Sequence, residues 1–254
     1  MFKGTARADM KKAVIRKKSA HLRNTLNALA RCAGIASYVT LVCLLTQKNL
    51  ADRAAQEAAA AVQNEARLQE IKATRRAQQA VFVANIIRLH NPNKQNTQDL
   101  AQIIVSESEK AGYDPLFVAA VIRSESMFHH GATSARGAKG LMQLMPATGK
   151  YISEREKIEL KRSEDLHDPA TNIRLGIAYL KYLERKFNGN REQVLIAYNW
   201  GPSNVVLSMR SGTKPPTQSL QYAKTILSAH TQWENEFTQH AGALDVTTQS
   251  SMVG

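Results

Sequence analysis

Glu125 is a carboxylate at a helix position where an apolar residue is expected. Asp114 and Pro115 are suited to the N-cap and the first helical position, so they predict a helix that begins there. Its apolar positions, spaced i, i+1, i+4 and i+5, are Phe117, Val118, Val121 and Ile122. The next position of this stripe, i+8, is Glu125. Burial and the negative end of the helix dipole both raise a carboxyl pKa, as a general acid near neutral pH requires. A structural ion pair is the alternative explanation.

The chain from Glu125 onward carries four short motifs in a fixed order. They are residues 125–146 (ESMFHHGATSARGAKGLMQLMP), 168–180 (DPATNIRLGIAYL), 187–190 (FNGN) and 197–202 (AYNWGP). Together they resemble the motifs of the Slt-type lytic transglycosylases, which are lysozyme-like enzymes that cleave peptidoglycan. The resemblance covers about residues 97–230, slightly over half of the chain.

This resemblance implies both a fold and a reaction. The expected fold is mainly α, with a lysozyme-like α+β catalytic domain that contains a small β element. Glu125 would protonate the glycosidic oxygen between N-acetylmuramic acid and N-acetylglucosamine, and would then activate the muramic C6 hydroxyl to give a 1,6-anhydro sugar. Hydrolysis of the same bond by a lysozyme-like muramidase is one alternative. A non-catalytic scaffold that grips peptidoglycan for a secretion system is another.

The resemblance also implies a set of substrate-binding residues. They are Ser134, Met142, Gln143, Tyr198, Asn199 and Tyr222. The residue types alone leave simpler roles open: Gln143 could cap a turn, Ser134 could close its own turn, and Met142 and Tyr198 are more often core residues. Gly137 and Gly140 predict a turn that leads into a short strand at residues 141–144.

Two positions depart from the family pattern. Trp200 stands where the family has a small residue, and it could either stack on a pyranose ring or narrow the groove. Gln218 stands where the family often has an acid, followed by Ser219 and, three residues later, by Tyr222. These departures concern how the substrate is held and leave the reaction class unchanged.

Glu125 is the only carboxylate in the stretch 125–146, whereas hydrolytic glycosidases generally use two. Glu164, Asp165 and Asp168 lie downstream, where they are interpreted as loop and helix-cap residues. A lone acid fits a reaction in which the substrate supplies the nucleophile. No cofactor is expected, and the pair at residues 129–130 (HH) lacks the further ligands of a metal site.

The net charge of +13 is concentrated near the N-terminus. Residues 1–31 carry +8, residues 32–98 carry +4, and residues 99–254 carry only +1. A basic segment next to an apolar run usually orients a membrane helix. We therefore interpret the charge as a topology signal and expect no nucleic-acid partner.

Residues 32–47 form an uncharged run of 16 residues between Arg31 and Lys48, about 24 Å long as a helix. This is short for a hydrocarbon core of about 30 Å, but both flanking side chains can snorkel. The run predicts a single-pass inner-membrane anchor with residues 1–31 in the cytoplasm and the catalytic domain in the periplasm. A cleaved signal peptide and a buried soluble helix are the alternatives.

The expected organisation has five parts. They are a basic cytoplasmic segment (1–31), a transmembrane anchor (32–48), a helical stalk or mobile linker (49–95), the catalytic domain (96–239) and a flexible tail (240–254). The expected partners are peptidoglycan glycan strands, the inner membrane, and a secretion, pilus or phage-entry machine for which the wall is opened.

Overall fold

The structure is a computed structural model that describes the backbone of residues 5–251 and the side chains of residues 17–239. The chain divides into two compact units, Met1–Glu70 and Ile71–Gly254. The described residues form α-helices, one 3₁₀ helix and isolated β-bridges, so the expected mainly-α fold is confirmed.

The first unit lies on helix α1, which runs from Thr5 to His90. Its side chains from residue 20 to residue 70 are exposed, including Leu41, Leu44 and Leu45 in the apolar run. Within Lys17–His90 an 18-residue window reaches a mean hydropathy of 1.8, which makes the helix long and apolar enough to cross a membrane. Exposed leucines at this density are stable in lipid and costly in water.

In the second unit, the last turns of α1 belong to the hydrophobic core. The apolar residues there recur at helical spacing, and Val83, Ala84 and Ile87 have no exposed surface. The expected domain boundary at residue 96 therefore lies too late along the chain. The helical segment that the sequence assigns to a stalk contributes its C-terminal end to the catalytic fold.

Seven further α-helices and a 3₁₀ helix follow in the described part of this unit. They are α2 (Thr97–Lys110), α3 (Pro115–Ser126), α4 (Pro146–Glu156), the 3₁₀ helix (Ser163–His167), α5 (Pro169–Lys186), α6 (Arg191–Trp200), α7 (Pro202–Ser211) and α8 (Thr217–Ser251). Four of them begin with proline, whose missing N–H costs nothing at the first helical position. The carboxylates of Asp114 and Asp168 accept hydrogen bonds from the backbone N–H groups of Leu116 and Thr171, so both expected helix caps are confirmed.

The β element is smaller than the sequence predicts. Residues 141–143 form a turn, and the described residues have only two antiparallel bridges here, Thr133 with Lys139 and Lys139 with Leu144. Gln143 has a φ of +47°, which is incompatible with a continuous strand. Gly140 is required, because a Cβ at this position would lie 2.1 Å from the carbonyl oxygen of Leu166.

The backbone of the C-terminal segment is helical as far as Ser251. Residues 240–251, expected as a loose tail, continue the backbone of α8 to Ser251. Upstream of them, Ala223, Ile226, Trp233 and Phe237 of α8 are buried in the core. These residues recur at intervals of three to seven, which gives α8 an apolar face along most of its length.

Asn172 in α5 fixes the glycine-rich loop to the core. This fully buried side chain accepts a hydrogen bond from the Met142 N–H at 2.7 Å. It also donates to the carbonyl oxygens of Lys139, at 2.9 Å, and Leu166, at 2.7 Å. One amide therefore satisfies the Met142 N–H and the Leu166 carbonyl, and it adds a second hydrogen bond to the Lys139 carbonyl, which also accepts from the Leu144 N–H in the bridge. These contacts hold residues 139–142 in place.

Replacement of Asn172 by alanine should leave the Met142 N–H and the Leu166 carbonyl without a hydrogen-bond partner in a buried site. We expect the free energy of unfolding to fall by about 3 kcal/mol, since each buried unpaired polar group costs roughly 1–3 kcal/mol. Chemical denaturation followed by circular dichroism measures the change. The control is Asn93→Ala at an exposed position; equal stability of the two variants would contradict the role of Asn172.

Candidate active site

Glu125 lies in the last turn of α3 and is partly buried. The helix ends directly after it, because Met127 and Phe128 adopt left-handed backbone conformations with φ of +51° and +63°. The neighbouring Ser126 donates its hydroxyl to the carbonyl oxygen of Leu141 at 2.8 Å. This hydrogen bond ties the end of α3 to the glycine-rich loop and places that loop beside Glu125.

The carboxylate of Glu125 accepts a hydrogen bond from the phenol of Tyr222, with 2.5 Å between Oη and Oε1. Burial raises the pKa of Glu125 to about 7, and the hydrogen bond from Tyr222 opposes this shift only in part. Desolvation therefore dominates, as the apolar stripe of α3 predicts. Glu125 is a carboxyl group that exchanges its proton near neutral pH.

Tyr198 is a second phenol close to this carboxyl. Its hydroxyl donates to the carbonyl oxygen of Met142 at 2.8 Å, and its ring packs against Tyr179 with 5.2 Å between centroids. Burial, and then the charge of Glu125, raise the pKa of Tyr198 well above its ordinary value. Tyr222 is shifted the same way for the same two causes, so both phenols stay neutral and act as hydrogen-bond donors.

Asn199 follows Tyr198 near the end of α6 and is exposed. Its Oδ1 accepts a hydrogen bond from the hydroxyl of Ser219 at 2.9 Å. Ser219 is buried on α8, one helical turn before Tyr222. No role is predicted for Ser219 from the sequence; its position three residues before Tyr222, on the same helix face, is the signal that identifies it.

The structure places the expected residue Met142 in the core. Its side chain has no exposed surface and packs against Gly176, where a Cβ would lie 2.2 Å from its sulfur. A direct contact between this side chain and a sugar is therefore ruled out in this conformation. Met142 contributes through its backbone instead, whose N–H and C=O bind Asn172 and Tyr198.

Ser134 and Gln143 both support the loop that carries them. The Ser134 hydroxyl accepts a hydrogen bond from the Ala138 N–H at 3.0 Å, which closes its own turn. The Gln143 amide donates to the carbonyl oxygens of Gly140, at 2.8 Å, and Ala132, at 3.3 Å. These contacts match the simpler roles that the residue types allowed. A sugar contact by either side chain stays a prediction.

Each departure from the family pattern is adjacent in sequence to one residue of the Asn199–Ser219 pair: Trp200 follows Asn199, and Gln218 precedes Ser219. Trp200 is partly buried and packs against the core at the end of α6. Gln218 is exposed in the first turn of α8, directly before Ser219. A stacking contact between Trp200 and a sugar stays a prediction.

Other acidic groups of this unit have structural partners. Glu164 binds Lys139 and Ser163, which lower its pKa to about 2. Asp165 pairs with Arg162 in the same loop. Together with the cap formed by Asp168, these contacts agree with the loop and cap roles expected for these residues.

Among residues 17–239, one group has ligand atoms placed for a metal ion: Asp114, His230 and Glu234, all within 4.8 Å of one another. Asp114 already caps α3 and binds His230 directly through its second oxygen. Both carboxylate oxygens thus already have protein partners, and these bonds form a contact between α3 and α8.

Comparison with known proteins identifies the same region. Residues 102–221 match the family model described as Transglycosylase SLT domain. Over 90 residues the chain is 39% identical to the soluble lytic murein transglycosylase of Escherichia coli. This aligned stretch covers 35% of this chain and 14% of that protein. Over 108 residues it is 35% identical to membrane-bound lytic murein transglycosylase C of Serratia proteamaculans, covering 39% of this chain and 30% of that protein.

A solved structure of an inactive mutant of the lytic transglycosylase Slt from Pseudomonas aeruginosa is similar in fold. It has a TM-score of 0.50 and 29% identity, and it covers 63% of this chain and 30% of that chain. This chain thus spans between 14% and 30% of the length of these three relatives. Three observations point to the same family: the family model, the ordered motifs, and the desolvated glutamate with its tyrosine. The chain therefore carries, in residues 102–221, a domain of the Slt-type lytic transglycosylase family.

Proposed function

We propose that the chain is a membrane-anchored peptidoglycan lytic transglycosylase. It cleaves the β-1,4 bond between N-acetylmuramic acid and N-acetylglucosamine and forms 1,6-anhydro-N-acetylmuramic acid. The observation that carries this proposal is the desolvated carboxyl of Glu125, whose pKa of about 7 suits proton transfer. The Pseudomonas aeruginosa relative is inactive when one glutamate is replaced by glutamine, which supports a single essential carboxyl.

Glu125 acts first as an acid and then as a base. Its protonated carboxyl gives the proton to the glycosidic oxygen as the bond to the muramic C1 breaks. The resulting carboxylate takes the proton from the muramic C6 hydroxyl, and O6 attacks C1 to close the anhydro ring. Glu125 ends protonated, as it began, and no water is consumed.

The surroundings of Glu125 favour this route over hydrolysis by two carboxylates. Burial raises the pKa of Glu125 and the hydrogen bond from Tyr222 lowers it in part. No second carboxylate of residues 17–239 contributes to the shift. An inverting or retaining glycosidase needs a base or a nucleophile about 5–9.5 Å from the acid. A site built on one such carboxyl suits a reaction in which the substrate itself supplies the nucleophile.

The N-terminal half of α1 supplies the proposed anchor. The basic residues before the apolar run favour a cytoplasmic N-terminus by the positive-inside rule, which would put the catalytic unit in the periplasm. The name of the Serratia relative, a membrane-bound enzyme, supports an anchored role. An enzyme anchored in this way would open the wall locally, either for an envelope-spanning machine or for phage entry.

Replacement of Glu125 by glutamine keeps the size of the side chain and removes the exchangeable proton. We expect release of anhydro-muropeptides from purified peptidoglycan to fall by at least about 1000-fold, within the range for loss of an acid–base group. Mass spectrometry identifies the products, since an anhydro end is one water lighter than a reducing end. Glu159→Gln, at an exposed glutamate paired with Lys161, is the matched control. Reducing ends alone would instead indicate a muramidase.

The activity should depend on pH through Glu125, whose protonated form is the acid. Because its pKa is raised to about 7, kcat/KM should be high below that pH and fall as the pH rises through it. Tyr222→Phe removes the hydrogen bond that lowers this pKa, so the alkaline limb should move to higher pH while kcat falls about tenfold. A pH–rate profile of the two proteins tests this. An unshifted limb in the variant would contradict the coupling of Tyr222 to Glu125.

The anchor should hold the full chain in the membrane during alkaline carbonate extraction. Leu41→Arg places a charge near the centre of the apolar run, where it costs about 2.5–3.5 kcal/mol for insertion, and should move protein to the supernatant. Leu68→Arg is the control, because Leu68 is also exposed on α1 but lies outside the run. Wild-type protein in the supernatant, or a shortened chain, would indicate a soluble or cleaved N-terminus.

A further inference from the structure

Ser219 and Asn199 form the one polar side-chain contact in the described residues that connects the start of α8 to the end of α6. The hydroxyl of Ser219 donates to Asn199 Oδ1 at 2.9 Å. Ser219 is only 3% exposed, whereas Asn199 is exposed. A buried donor therefore holds the amide of an exposed residue that directly follows Tyr198.

The same face of α8 also holds the acid. Ser219 and Tyr222 are three residues apart, so their side chains leave α8 on the same side. Tyr222 donates to Glu125, and Ser219 donates to Asn199. One helical turn thus fixes both the proton-transfer group on α3 and an exposed amide on α6.

The direction of the hydrogen bond decides what Asn199 offers to a ligand. Its oxygen is occupied by the Ser219 hydroxyl, while none of the hydrogen bonds described for residues 17–239 uses its Nδ2. An asparagine amide has two donor hydrogens on Nδ2. Held in this rotamer, Asn199 presents donors and directs its acceptor towards the protein.

We infer that Ser219 is a positioning residue that fixes the Asn199 amide as a hydrogen-bond donor to an acceptor oxygen of the glycan strand. This inference rests on the proposed function for the identity of the ligand. It assigns Ser219 no contact with the substrate, because its side chain is buried and its hydroxyl is used by Asn199. The hydroxyl prevents the amide from rotating, so binding costs less conformational entropy.

Four variants of the full-length protein test this inference. Ser219→Ala removes the hydroxyl, and Ser219→Thr retains it. Asn199→Ala removes the whole amide, whereas Asn199→Asp keeps an acceptor for Ser219 and replaces the Nδ2 donor with a second acceptor. The substrate is purified peptidoglycan, and the measurements are kcat, KM and the thermal midpoint of each variant.

Binding is measured separately from turnover. Each change is also made in the Glu125→Gln background, where the dissociation constant for insoluble peptidoglycan is determined by sedimentation. We expect Ser219→Ala to raise KM and this dissociation constant about three- to tenfold, with kcat changed less than twofold. Ser219→Thr should stay within twofold of the parent. Asn199→Asp should weaken binding at least as much as Asn199→Ala.

The outcomes separate this inference from the proposed function. Unchanged binding in Ser219→Ala overturns the positioning role, as does full activity of Asn199→Asp. A lower thermal midpoint in Ser219→Ala, accompanied by parallel losses in kcat and binding, assigns Ser219 a structural role and also overturns it. If peptidoglycan binding responds as expected but the wild type releases no anhydro products, the proposed reaction fails and the positioning role stands.

Discussion

Desolvation of the Glu125 carboxyl is the constraint on which the candidate site depends. A charged carboxylate is poorly tolerated near the end of α3, so the proton is retained up to a pH of about 7. Tyr222 supplies one hydrogen bond, which is enough to orient the carboxyl but too little to offset the loss of water. The packing of α8 against α3 produces both effects, because it excludes solvent from Glu125 and delivers the phenol.

Glu107 shows what the same side chain does with different partners. It lies on α2 and is 6% exposed, yet its pKa is lowered, chiefly by the hydrogen bond from Arg174 at 2.9 Å. Lys110 adds a second cation at 2.7 Å. Burial raises the pKa of both glutamates, and the partner decides the outcome: two cations keep Glu107 charged, whereas a neutral phenol leaves Glu125 protonated. Only the second arrangement provides an acid.

The sequence was most informative where local rules determine structure. The caps at Asp114 and Asp168 and the stripe that ends in Glu125 depend on neighbours within a few residues, and all three were predicted. The burial of Met142 against Gly176 and the pairing of Ser219 with Asn199 depend on contacts across 34 and 20 positions, which periodicity does not encode. Short apolar runs were also ambiguous, so 141–144 was predicted as a strand, whereas φ at Gln143 makes it a turn.

Under the proposed function, the distribution of charge limits how a peptidoglycan substrate is held. Residues 99–254 carry a net charge of only +1, so long-range attraction to an anionic wall polymer is weak and is screened further by salt. Under the proposed function, affinity then comes from short-range contacts, such as the donor proposed at Asn199, and from confinement at the membrane. A chain fixed in the membrane samples the nearby wall at a high effective concentration, which compensates for modest affinity. Under the proposed topology, the basic N-terminus therefore affects catalysis by placing the enzyme beside its substrate.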